Sequence, residues 1–300
     1  MQVVAEGLNV PEGPIVLDDG SVLVVEVMGK TLTRVRADGA RQVVANLGGG
    51  PNGAAIGPDG AVYVCNNGGL DMEWAQGRLT HYGRAKAYAG GSIQRVDLRT
   101  GKVEVLYAAC DGAPFSGPND IVFDATGGFW FTDSGHRLPE YKEWGALYYA
   151  QPDGSRVTRI QSHLALPNGV GLSPDGGAVY VADSIAGSVW GCELAGPGQL
   201  QMAEVPAWTG RTVGRQTDLA GLDSMAVEAS GRICVASAPQ RICIITPDGL
   251  TENVAVPDPM PTNLCFGGAD MRDVWITGGA GGTLIKTRWP RPGAPLAFRA

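Results

Sequence analysis

Along the 300 residues, short apolar runs are cut by turns rich in Gly, Pro, Asp and Asn. The clearest copy reads Pro167-Asn168-Gly169-Val170-Gly171-Leu172, then Ser173-Pro174-Asp175-Gly176, then Ala178-Val179-Tyr180-Val181-Ala182-Asp183-Ser184. A polar residue, an apolar strand, a Pro-Asp-Gly turn and a second apolar strand with a polar end predict a β-hairpin whose chemistry sits at its open end. The same order begins at Pro11-Glu12, Pro51-Asn52, Pro118-Asn119, Leu222-Asp223 and Thr262-Asn263, with anchors 40, 67, 49, 55 and 40 residues apart.

Self-similarity at this period, with several short strands per unit, predicts a β-propeller, and six copies predict six blades. Strand, turn and strand follow the hairpin in the segments 91–107, 32–44 and 146–160, which gives four antiparallel strands per blade. Gln2-Val3-Val4 precedes the first anchor and is expected to complete the blade begun at Thr262, so that no edge stays open. The prediction is an all-β, six-bladed propeller in a single domain over 1–300, because no composition break marks a second one.

The longest interval holds an insertion, 66–88, with Trp74, His81, Tyr82 and Arg84. It is expected to form a lid over the channel mouth; packing against a neighbouring blade or a partner subunit is the plainer alternative. Trp130, Trp190 and Trp275 are expected late in the second strands of three blades, as packing between blades. Trp208 and the run Arg211 to Asp218 are expected as an outer strand and a connecting loop.

Composition narrows the function. The 45 Gly and 20 Pro fall at turns, and the formal charge of -7 without a basic run excludes a nucleic-acid footprint. No apolar run approaches the roughly 18 residues of a membrane span, and the first residues lack a basic and apolar leader, so no membrane partner and a cytoplasmic location are expected. The six Cys have no CxxC spacing and are expected as buried thiols, with a Cys234–Cys243 disulfide across one hairpin as the minor alternative.

In a propeller, equivalent positions of different blades meet around one axis. Glu12, Asn52, Asn119, Asn168, Asp223 and Asn263 should therefore form a ring of oxygen-bearing groups. Two carboxylates among carboxamides are costly to bury without a cation, and an all-oxygen set favours a hard or borderline divalent ion. Ca²⁺ is the first choice, with Mg²⁺, Mn²⁺, Zn²⁺ or Fe²⁺ as alternatives. Turn capping by the Asx side chains is the competing reading, strongest for Asn52 and Asn263.

Five stretches carry a family resemblance: Pro11-Glu12-Gly13-Pro14; Gly117-Pro118-Asn119-Asp120 with 128–134; Pro167-Asn168-Gly169 with Ala182-Asp183-Ser184; Leu222-Asp223-Ser224-Met225-Ala226-Val227; and 262–268. In this order they resemble the gluconolactonase family, which includes regucalcin. The resemblance implies a six-bladed propeller that hydrolyses a sugar lactone or related small lactone at one divalent metal. It implies Glu12, Asn168 and Asp223 as ligands, with Asn119 either a ligand or a contact to bound water and substrate. Asp223 is then the expected base. Asn119, Asn52, His136, Arg84 and Lys142 are candidate substrate contacts, and His136, Lys142 and Tyr141 are candidate proton donors to the leaving oxygen.

Two departures qualify this. Gly117 stands where some sugar lactonases carry Arg, with Arg84 or Arg137 as substitutes, and Ser224 stands where Gly is usual. The competing functions are a phosphotriesterase-like hydrolase on the same ring, a non-catalytic propeller plugged by Ca²⁺ whose rim binds a partner, and a metal-free strictosidine-synthase-like propeller.

Overall fold

The Pro-Asp-Gly turns and apolar runs fold into six antiparallel sheets, each essentially four-stranded, arranged as a six-bladed β-propeller. This computed structural model describes residues 1–75, 78–201, 211–215 and 221–299, with backbone alone at 74, 75, 78–82, 211 and 215. The innermost strands are Pro11–Val16, Pro51–Ile56, Pro118–Phe123, Pro167–Leu172, Leu222–Val227 and Pro261–Gly267. Each touches the innermost strands of the two blades beside it, and the circle closes between Pro261–Gly267 and Pro11–Val16. Gln2–Ala5 pairs with Thr283–Arg288, so the chain start supplies the outer strand of the last blade, as its apolar pattern predicts. Among the described residues no helix is long and apolar enough to cross a membrane.

The second strand of each blade is covered on both faces by its neighbours. Val22–Glu26, Val62–Asn66, Phe129–Asp133 and Ile233–Ser237 are buried throughout, which explains their continuous rather than alternating apolar runs. The core accordingly lies between blades. Trp130 packs with Val170, Val179 and Val181 of the next blade, and Trp275 packs with Val22 and Val24 across the closing seam. Trp190 differs from expectation: it lies on the third strand, Ser188–Gly196, because the second strand ends at Asp183 and the chain reverses before reaching it. Trp130 is likewise early rather than late in its strand.

All six cysteines are buried thiols. Cys234 is paired with Ile244 and Cys243 with Val235, an offset of one residue that turns the two thiols to opposite faces of the sheet and removes the disulfide alternative. Arg211–Arg215 forms the expected outer strand of the fourth blade, whereas Trp208 and residues 216–218 lie outside the described residues.

The insertion forms a hairpin, Leu70–Ala75 with Arg78–Arg84. Leu70 is buried against Val10 and Val27 of the first blade, with Met72 and Met260 packed alongside. The side chains of Trp74, His81 and Tyr82 lie outside the described residues. At the opposite end of the propeller the C-terminal segment crosses the sheets. Trp289 packs edge-on to Phe266, Ala294 N donates to Val227 O at 2.8 Å, and the Phe298 ring meets Phe123 at 5.8 Å.

Candidate metal centre at the channel mouth

All six innermost strands carry a β-bulge where the polar anchor sits. The register slips between Glu12 and Ile15, Pro51 and Ala54, Pro118 and Ile121, Pro167 and Val170, Leu222 and Met225, and Pro261 and Asn263. A bulge removes ladder bonds and re-aims a side chain, so these slips turn the anchors away from the regular strand pattern. The blades crowd at this level: a Cβ on Gly53 would lie 2.6 Å from Asn119 O, and one on Gly169 would lie 2.8 Å from Asp223 O. Thr132 Oγ1 donates to Asn168 O at 2.5 Å and accepts from Asp120 N at 3.1 Å, tying the third blade to the fourth beneath the ring.

The ring divides by what its oxygens do. Asn263 is spent: its Oδ1 accepts from Leu264 N at 2.7 Å and its Nδ2 donates to Glu12 Oε2 at 2.9 Å. The capping reading therefore holds for Asn263. By contrast, Oδ1 of Asn52, Asn119 and Asn168 are buried with no hydrogen-bond partner among the described residues. Glu12 is buried, and Oε2 takes Gly13 N as well as Asn263, leaving Oε1 without a donor among the described residues. Asp223 is half-buried. Burial pushes its carboxyl up to about 7, with Asp120 adding to the rise and Asn168 opposing it. Burial, with Asp223 and Asp120 nearby, holds Glu12 well above the ordinary carboxylate range.

Asp120 is the residue that the anchor pattern misses. It is buried, its Oδ2 accepts from Val170 N at 3.1 Å, and burial raises its carboxyl to about 7. The signal was present one position beyond the anchors: blades one, two and four have Gly13, Gly53 and Gly169 there, and the third has a carboxylate.

Three orphaned carboxamide oxygens beside buried carboxylates are the donor set of a hard cation, since each unpaired oxygen otherwise carries its full desolvation cost. Among the described residues no three His, Cys, Asp or Glu side chains cluster as a metal site by themselves, so the carboxamides have to contribute. The residues present fit such an ion.

A family model described as SMP-30/Gluconolactonase/LRE-like region matches residues 10–280. The chain belongs to this family. A gluconolactonase of Zymomonas mobilis is 31% identical over 73% of the chain, which spans 58% of that relative's own length. Two solved structures share the fold of this SMP-30/gluconolactonase chain. One is a gluconolactonase from Xanthomonas campestris (21% identity, TM-score 0.75, 96% of this chain and 89% of that one). The other is regucalcin from Agrobacterium tumefaciens, described as calcium-binding (17% identity, TM-score 0.71, 99% and 100%).

Around the mouth of this family fold, the remaining candidates are engaged with protein. His136 Nε2 lies 2.8 Å from Asn67 O and 3.1 Å from Ser116 O, which makes it a donor to carbonyls, and burial lowers its pKa. Gly117 leaves room for this ring, as its Cβ would stand 3.4 Å from Nε2. Arg84 pairs with Glu143 at 3.4 Å and lies over the Tyr88 ring, which in turn meets the His136 ring edge-on. Lys142 Nζ donates to the carbonyls of Ser134 and Glu143, and burial lowers its pKa to about 8. Tyr141 is exposed. The His136–Asn67 bond and the Arg84–Glu143 pair join the insertion to the third blade. Similarly, the polar ends of the second strands hold loops: Asp133 accepts from Ser116 N and Gly117 N, and Asp183 from Ala165 N and Leu166 N.

Proposed function

We propose that the chain is a lactonase that opens an aldonolactone or related small lactone to its hydroxy acid, with one divalent cation held by Glu12, Asn119, Asn168 and Asp223. The observation that carries this is the set of unpartnered, buried carboxamide oxygens beside Glu12 and Asp223, on bulged strands of a gluconolactonase-family propeller. Ca²⁺ is the preferred ion, in keeping with the all-oxygen donors and the description of the Agrobacterium neighbour.

A bound divalent cation supplies Lewis acidity at a carbonyl oxygen. The chain's own residues do the rest. Asp223 accepts the proton of the attacking water as its oxygen bonds to the carbonyl carbon, and the ester C–O bond then breaks. The leaving ring oxygen takes up a proton and becomes the new hydroxyl. Asp120, behind the ring, keeps the field negative and favours a proton on Asp223 after the transfer. Asn52, the third of the unpartnered carboxamides, orients substrate hydroxyls in this reading. The 70–84 hairpin, packed on the first blade on one side and joined to the third on the other, roofs the mouth and limits substrate size. Arg84, paired with Glu143 through one terminal nitrogen, stays a candidate for the arginine absent at position 117.

The test is pH-stat hydrolysis of glucono-δ-lactone and a panel of pentono- and hexono-lactones, corrected for spontaneous opening, before and after chelation and with Asp223→Ala. Turnover lost on chelation, restored by one divalent ion and absent in the variant supports the proposal. Background rates throughout overturn it.

A further inference from the structure

A cleft of about 270 Å³ lies against the third blade, its lining including Asp133, Trp144, Tyr148, Arg159, Ser162 and His163. Asn119 stands on the innermost strand of that blade, whereas Tyr148, Arg159, Ser162 and His163 belong to the third and fourth strands, Gly145–Ala150 and Val157–Leu164. Strand direction puts Gly145 and Leu164 at the same end as the anchors, since Gly145 is opposite Leu164 and Ala146 is opposite Asp133. The cleft thus lies on the mouth side, and none of the six anchors lines it.

Its chemistry is that of a carboxylate site. Arg159 Nε donates to Tyr148 Oη at 3.1 Å and the guanidinium lies 5.6 Å from the centre of the Tyr148 ring. That ring is stacked on Phe131 at 4.9 Å and 10°, so the platform is rigid. Among the described residues the only hydrogen bond from the Arg159 guanidinium is the one from Nε, and with Asp111 acting on it only through its charge, the two terminal nitrogens present a fork to a planar anion. Asp133, the one carboxylate in the lining, already receives Ser116 N at 2.8 Å, Gly117 N at 2.7 Å and Gly135 N at 2.9 Å. The opposite wall is Trp144, 65% exposed, whose indole meets the His163 ring edge-on at 6.1 Å. Ser162 Oγ and His163 Nδ1 lie 3.0 Å apart and offer polar partners. His163 is held at φ 62°, a left-handed conformation that non-glycine residues rarely adopt and that often marks a functional site.

We propose that this cleft binds a small hydroxy-carboxylate: the carboxylate on the Arg159 fork, the C–H face of the chain on Trp144, and a hydroxyl at Ser162 and His163. The choice of a hydroxy acid over other carboxylates rests on the lactonase reading, whose product has this chemistry; the cleft would then sense product on the rim of the mouth.

Calorimetric titration with D-gluconate, and with glucitol as the probe lacking a carboxylate, tests this on the protein as purified and on Arg159→Gln, Trp144→Ala and Asp223→Ala. Saturable gluconate binding is expected, retained in Asp223→Ala, weakened about tenfold or more in Arg159→Gln and measurably weaker in Trp144→Ala, with glucitol at least about tenfold weaker than gluconate. Absence of saturable binding, binding indifferent to both cleft variants, or binding lost in Asp223→Ala overturns the proposal. Gluconate binding at the cleft without lactone turnover counts against the lactonase reading alone, and turnover without gluconate binding counts against the cleft alone.

Discussion

Asn263 Nδ2 donates to Glu12 Oε2 at 2.9 Å across the seam where the last blade meets the first, 251 residues apart in the chain. With Gly13 N on the same oxygen, this bond fixes the carboxylate and leaves Oε1 for a ligand. Asn263 thus acts on the ring as a positioning residue. Replacing it with Ala is expected to weaken divalent-ion affinity by about 10- to 100-fold, the usual effect of losing a partner that orients a ligand. Calcium titration of Asn263→Ala checks this; unchanged affinity would mean that Glu12 is held by its own strand.

Thr132 makes a comparable case one layer below. Its hydroxyl accepts from Asp120 N and donates to Asn168 O, so Thr132→Val keeps the shape and strands two buried backbone groups. The expected cost is about 1–3 kcal/mol in stability, because an unsatisfied buried group loses its full solvation. Chemical denaturation measures it. A companion loss of metal affinity is expected, since both residues that move with Thr132 border the ring.

The ring and the blades were legible because their signals are local: a Pro or Leu before a polar anchor, a Pro-Asp-Gly turn, a polar strand end. Even the closing strand could be read, since Gln2-Val3-Val4 had nowhere else to pair. What escaped was set by contacts distant in sequence. The sequence does not show that His136 Nε2 meets Asn67 O and Ser116 O, nor that a terminal nitrogen of Arg84 pairs with Glu143. Asp120 escaped because it stands one position beyond the repeated anchor, where the other blades carry no carboxylate. Asn52 and Asn263 are alike in the sequence, yet Asn263 is turned so that its oxygen accepts from Leu264 N and its amide donates to Glu12, whereas the Asn52 oxygen stays unpartnered among the described residues.

Glu228 gives a pH dependence away from the ring. It is fully buried and accepts from Trp289 Nε1 at 2.7 Å and Arg291 Nε at 2.6 Å. Burial alone would raise its carboxyl, but Arg291, Trp289 and Ser230 outweigh it and hold the pKa below the ordinary 4.5. A group depressed in the folded state stabilises above its unfolded pKa, and that stability is lost as pH falls through the lower folded value. Glu228→Gln keeps an acceptor for Trp289 but turns an amide toward Arg291, at an expected cost of about 1–3 kcal/mol near neutral pH. The gap in melting temperature between wild type and variant should narrow between about pH 5 and about pH 3. A gap that stays constant with pH would show that the charge contributes nothing.

Phe298 closes the opposite end of the same architecture. Half-buried, it packs against core clusters drawn from the first three blades and meets Phe123 nearly at a right angle, 5.8 Å between ring centres. Phe123 ends the innermost strand on which Asn119 sits, so the tail contact lies roughly 13 Å from the ring by the rise of a strand. Phe298→Ala is expected to cost about 1–3 kcal/mol, less than for a fully buried ring, and to lower the melting temperature by several degrees. Metal affinity and lactone turnover, measured well below that temperature, should stay within about twofold of wild type, because no bond in the ring depends on the tail. A larger loss of metal affinity in the folded variant would show that the base of the propeller sets the spacing of its mouth.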